Sequence, residues 1–147
     1  MRVQVSNEQA SHPLDEAEVE ARLMRVLNHL GARPDSELSV VITDDPAIAL
    51  LNEQYLGRVG PTNVLAFPQG EGDFAELTPG LLGDVVVSLD TARREANENR
   101  LDETEHFYRL LIHGLLHLIG YDHLTDEEEA ARMEELTEEL LEKSACR

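Results

Sequence analysis

The segment Phe107–Ile119, read FYRLLIHGLLHLI, is apolar on most sides of any helix that it forms. Such a helix cannot lie on a surface and has to be enclosed by other elements. Asp102 with Glu105 three residues on has the form of a capping box that opens it. Gly120 follows at the place where a left-handed residue stops a helix and turns the chain back. The rest of a 147-residue chain, long enough for one domain, has to be built around this rod.

The rod carries polar groups that a core helix does not need. His113 and His117 stand four residues apart, so they project from one face one turn apart. The turn at Gly120 swings His123 towards them. Three neutral imidazoles on one point, with a fourth position open, form the ligand set of a catalytic zinc ion. One zinc per chain is therefore expected, with nickel, copper and iron as the other metals that imidazole suits. A structural zinc takes four protein ligands, often cysteines. The lone cysteine, Cys146, lies outside this cluster, which favours the open site.

The spacing also fits the zinc-peptidase pattern H-E-x-x-H-x-x-G-x-x-H at its three histidines and its glycine. Gly114 stands where those peptidases carry the general-base Glu, which removes the group their mechanism depends on. Met133, a candidate for the methionine of that class, falls on an amphipathic acidic segment and reads as core.

The string HGLLHLIGYDH, with Met133 in the acidic stretch after it, resembles the signature of the bacterial rRNA maturation factor YbeY family. Leu51-Asn52-Glu-Gln-Tyr55 and Pro61-Thr62-Asn63-Val64-Leu65-Ala66-Phe67-Pro68 resemble that family's LN-x-x-[YF] and PT[DN]VLSFP motifs. Leu82-Gly83-Asp84-Val85 resembles its LGD-[IV] strand. The resemblance implies an α+β metalloprotein of one domain over residues 1–147 with a small mixed four-stranded sheet. It further implies a single-strand-specific, zinc-dependent endoribonuclease acting in 16S rRNA 3′-end maturation and ribosome quality control. By matching positions, His113, His117 and His123 carry over as the metal ligands. Two positions depart from the family. Leu56 stands where an Arg tied to activity usually follows the aromatic, with Arg58 two residues on, and Ala66 replaces the Ser of VLSF.

The net charge of −18 opposes an RNA ligand, because nucleic-acid affinity comes largely from neutralised phosphates. Nine acids lie between Asp126 and Glu142. If they face solvent away from the site, screening over about 10 Å lets a local basic patch act alone. Arg58, Arg93, Arg94, Arg100 and Arg109 are the candidates for it. The expected partners are ribosomal RNA and the small ribosomal subunit or a ribosome-associated protein, with neither membrane nor DNA. The N-terminal MRVQVS has no apolar signal core, no apolar run reaches a membrane-spanning length, and a lone cysteine suits a reducing compartment, so a cytoplasmic protein is expected.

Along the chain, Arg2–Ser6 alternates as a strand, and Leu14–Leu30 has helical apolar spacing closed by Gly31. Leu38–Thr43 reads as a strand, and a helix opens at Asp45-Pro46 and runs to about Tyr55. Asn63–Phe67, bounded by prolines, reads as an edge strand. Gln69–Gly80 reads as a loop and Gly83–Leu89 as a buried strand. Asp90 is expected to cap a polar helix bearing Arg93 and Arg94, and Thr125 to start the last helix, with Met133, Leu136, Leu140 and Leu141 inward. This makes about five helices interleaved with strands, an α+β or α/β arrangement.

The catalytic candidates beside the metal are Arg58 and Asp122, and the substrate-binding candidates are Asn63 and Arg94. Asp122 reads equally as a proton relay or ligand-orienting carboxylate and as a turn carboxylate. Asn63 reads equally as a contact to the substrate backbone and as a turn residue. Arg58 and Arg94 are read as phosphate contacts. Asp84 reads as structural or as a hydrogen-bond partner to a ligand. His106, about 10 Å along the helix axis from His113, is too far to ligate and reads as a surface or cleft-rim residue. Gly114 serves either close substrate approach or close helix packing.

Overall fold

The computed structural model describes residues 1–69, 80–121 and 127–145. In chain order the elements are β1 (Arg2–Asn7), α1 (Glu16–His29), β2 (Glu37–Thr43), α2 (Asp45–Leu56), β3 (Val64–Pro68), β4 (Leu81–Ser88), α3 (Leu89–Glu98), α4 (Glu103–Leu118) and α5 (Glu127–Ala145). Four strands form one sheet in the order β1-β2-β4-β3. β1, β2 and β4 run parallel, and β3 pairs antiparallel with β4 at the edge. The fold is thus α+β around a small mixed sheet, with β3 the edge strand that its flanking prolines require.

The two faces of the sheet are covered unequally. Leu38, Val40 and Ile42 of β2 and Val85 and Val87 of β4 enter a large core with α1, α4 and α5. Val86 of β4 and Leu65 of β3 point the other way, where Ile48 of α2 joins them in a small second cluster. α4 lies in the large core, with Phe107, Leu111, Ile112, Leu115 and Leu116 buried, as its all-round apolar sequence demands. Buried Arg22 of α1 lies 3.7 Å over the Tyr108 ring of α4 and donates to Ser144 Oγ of α5. It thereby ties three helices together. Met133, Leu140 and Leu141 of α5 are buried and Leu136 partly so, which gives the expected stripe.

Helix ends follow their local signals, with one correction. Asp102 accepts from the Glu105 N–H and caps α4. At the other end Gly120 has φ +111°, its N–H donates to His117 O, and the Tyr121 N–H reaches back to Leu116 O. This pair of bonds is the Schellman closure that the glycine announces. Asp90 does not cap α3. Ser88 is the last residue of β4 and itself the cap, accepting from the Thr91 N–H, so strand passes into helix without a loop and Leu89 is already helical. Asp90 instead sits in the first turn, accepting from the Asp45 N–H at the start of α2 and bonding His12. The expected loop Gln69–Gly80 and the start of the last helix at Thr125 fall largely outside the described residues.

Candidate metal centre

His113 and His117 meet as their spacing requires. Their Nε2 atoms are 2.9 Å apart and the rings are edge to face with centroids 4.5 Å apart. Both rings are half-buried and open onto a cleft of about 690 Å³ between α4, α5 and β3. Burial, and then the neighbouring His117, pull the His113 pKa below its ordinary value, which keeps this imidazole neutral and available as a ligand. Two ring nitrogens on a shared tetrahedral zinc, each about 2.0–2.1 Å from it, would stand roughly 3.3 Å apart. The rings need part by only a few tenths of an ångström, so the pair fits two positions of such an ion. Among the described residues no group of three His, Cys, Asp or Glu side chains converges on one point. The expected third ligand, His123, and the expected catalytic Asp122 lie outside the described residues, as does Cys146.

Gly114, between the two histidines, explains how close α4 comes to the sheet. A Cβ there would stand 2.8 Å from Val85 Cγ1 and 3.1 Å from Val64 Cγ2. The glycine is therefore small for helix packing. A side chain at this position would drive into β4 rather than towards the two imidazoles, so the position cannot supply a peptidase-like base.

Arg58 lines the cleft, on the loop after α2. Asn52, which the sequence motif contains without revealing its task, positions that loop. It is buried, its side-chain Nδ2 donates to Gly60 O, and its backbone carbonyl accepts the Arg58 N–H. An amide directly after the apolar run Ala47–Leu51 is the available signal. Thr62, Ala66 and Met133 also line the cleft. Ala66 is open to it, so the missing serine hydroxyl is missing from the cleft wall.

Several expected contacts are not brought together. Arg94 is not among the cleft residues. Its guanidinium is held 3.0 Å from both Asp45 Oδ2 and Thr91 Oγ1 at the α2–α3 junction. Asn63 does line the cleft, but its amide is committed: Nδ2 faces both oxygens of Glu95 at 3.3 Å and Oδ1 accepts the Val64 N–H. It latches the start of β3 to α3. His106 is neither a surface nor a rim residue. It is tucked between α3 and α4 with Nε2 3.0 Å from Glu95 Oε1. Asp84 belongs to the sheet face opposite α4, because Val85 next to it faces α4, and a ligand-orienting role is closed to it.

The expected basic patch does not assemble. Arg93 pairs with Glu103 and donates to His12 Nδ1, and Arg109 is bound by Glu138 at 2.7 Å. The acids of α5 do not all turn away from the site, since Glu134 and Glu138 line the same cleft as Arg58 and Arg109. No helix among the described residues is long and apolar enough to cross a membrane.

A family model described as Endoribonuclease YbeY matches residues 4–145. The endoribonuclease YbeY of Geobacter sulfurreducens is 47% identical over 141 residues, covering 95% of this chain and 93% of that protein. The Syntrophotalea carbinolica protein of the same name is 45% identical, covering 94% and 92%. A Thermotoga maritima protein solved in solution shares the fold with a TM-score of 0.67 at 23% identity, over 97% of this chain and 88% of that one. The expected family is therefore the observed one: this chain belongs to the endoribonuclease YbeY family.

Proposed function

We propose that this chain is a zinc-dependent, single-strand-specific endoribonuclease of the cytoplasm, acting on the 3′ end of 16S rRNA during maturation and ribosome quality control. The observation that carries the reading is the His113–His117 pair. Two imidazole nitrogens 2.9 Å apart open into a cleft beside Arg58, in a chain whose relatives are named endoribonucleases. His113, His117 and His123 would hold the metal, one per chain. Zinc in this position supplies Lewis acidity towards a phosphoryl oxygen and a means of ionising water near neutral pH. Arg58, which lines the cleft, would neutralise a phosphate of the substrate. Asp122, beside His123 in sequence, takes the role of proton carrier or of orienting a ligand ring. The small ribosomal subunit or a protein bound to it would deliver the substrate.

A second reading is a metal-stabilised assembly factor without catalysis. The balanced charge of the cleft and Leu56 in place of the usual Arg favour it. Cleavage of a single-stranded 16S 3′-precursor RNA by metal-loaded protein, beside a His117→Ala variant shown to be folded by circular dichroism, separates the two. Cutting that vanishes in the variant establishes the nuclease. Absent or equal cutting rejects it, equal cutting meaning a contaminant.

A further inference from the structure

Among the described residues, the side of the molecule that α2 occupies shows exposed apolar side chains. Leu50, Tyr55 and Leu56 of α2 are exposed, and Val59 on the following loop is 95% exposed. Tyr55 is 59% exposed, yet its ring is not loose. It packs edge to face on Phe67 of β3, with centroids 5.3 Å apart and planes at 64°. Arg58 sits between these side chains in sequence and lines the metal cleft. Phe67 and Ala66 are neighbours on β3 and point to opposite faces, Phe67 to the Tyr55 side and Ala66 to the cleft. The patch and the cleft are thus the two sides of one edge strand.

Charge alone does not fill the cleft with RNA. Two arginines and two glutamates line it, and Arg109 is already bound by Glu138. In a chain of net charge −18, a large part of the affinity has to come from the bases. Bases offer their faces only where the strand is unpaired, and stacking on an aromatic ring accepts any of them. Four exposed apolar side chains suit one nucleotide better than a stable protein interface, which draws on about 20–30 residues a side.

We infer that Tyr55, held by Phe67, is a stacking platform for an unpaired base of the RNA whose phosphate backbone passes Arg58 into the metal cleft. This rests on the reading above and deepens it, since it places the preference for single strands in a ring outside the metal centre.

The test is the binding of a fluorescein-labelled, unstructured RNA of about twelve nucleotides to metal-loaded full-length protein, read by anisotropy at two salt concentrations. Tyr55→Ala should weaken binding about tenfold, by the same factor at both salts. Tyr55→Phe, which keeps the ring, should restore most of it, and Leu101→Ser, exposed but outside the patch, should match wild type. An RNA abasic at one position in turn should lose the same factor at one site on wild type and nothing further on Tyr55→Ala. Unchanged binding by folded Tyr55→Ala overturns the inference, as does failure of Tyr55→Phe to restore it; a patch that serves a protein partner gives the first result. Binding without cutting would instead reject the nuclease reading and leave the platform standing.

Discussion

Two polar clusters in this chain use the same residue types in opposite ways. At the α2–α3 junction, Asp45 accepts from Ser88 Oγ at 2.7 Å, Thr91 Oγ1 at 2.5 Å and Arg94 at 3.0 Å, while Asp90 takes the Asp45 N–H and His12. In the metal cleft, among the described residues, each of the two imidazoles has only the other as a hydrogen-bond partner, and the exposed Arg58 guanidinium has no ion pair. The junction is saturated from within, and its side chains hold α2, α3 and the segment after β1 in place. The cleft pairs Arg109 with Glu138 and Asn63 with Glu95, but at its two imidazoles and Arg58 it keeps nitrogens open, among the described residues, for something that is not part of the chain. Residue type does not separate structure from function here; saturation does.

The largest test of this contrast is metal removal. Stripping the ion with a chelator, or replacing His113 by Ala, should reduce RNA cleavage about a hundredfold or more, with metal content by elemental analysis falling in step. Arg58→Ala comes next. It should cost about tenfold in kcat/KM on single-stranded RNA and leave the urea midpoint unchanged, since nothing in the fold leans on its guanidinium. An unfolded Arg58→Ala protein would break the contrast.

Asp45 should show the reverse pattern. Burial pulls its pKa up, but the Thr91 and Ser88 hydroxyls and the Arg94 guanidinium outweigh that, and the net result lies below the ordinary 3.8. A carboxylate lowered in this way adds stability that is fully present above its unfolded value and is lost as pH falls through the folded one. Asp45→Asn should therefore cost about 1–2 kcal/mol in urea unfolding at pH 7 and progressively less below about pH 4, with cleavage per folded molecule unchanged. Gly114→Ala links the two regions through packing. Its gain in helix propensity is about 1 kcal/mol, whereas forcing Val85, itself in the core, out of the way costs about 1–3 kcal/mol. A net loss of roughly 1 kcal/mol in thermal unfolding is expected. The smallest effect is Arg94→Gln, which removes an exposed, solvent-screened ion pair and should leave both thermal unfolding and cleavage close to wild type. A loss of cleavage there would return Arg94 to the substrate.

What could be read in the sequence was local. The pairing of His113 with His117, the Asp102 cap and the stop at Gly120 depend on spacings of three to five residues, which a helix converts directly into geometry. The ion pair that holds Arg94 is not legible, because its partner, Asp45, is 49 positions away. The turn reading of Asn63 fits its bond to the Val64 N–H, but neither its contact with Glu95 nor that of His106 is legible, because nothing in the sequence connects that carboxylate to them. Ser88 was passed over as a cap because it is also the last residue of a strand. The Leu38–Thr43 and Gly83–Leu89 runs told of burial, but not that β4 pairs on both sides and so sets the strand order.

Among the described residues β3 pairs on one side only, and the open backbone edge of Val64, Leu65, Ala66 and Phe67 is a template on which a stranger's strand can grow. Pro61 precedes the run and Pro68 ends it, so the open ladder is five residues long and closed off by a ring that has no N–H to give. The same edge that an extended ligand would use is thus kept too short to nucleate aggregates. The prolines of this motif act on solubility in the crowded cell as much as on the shape of the site.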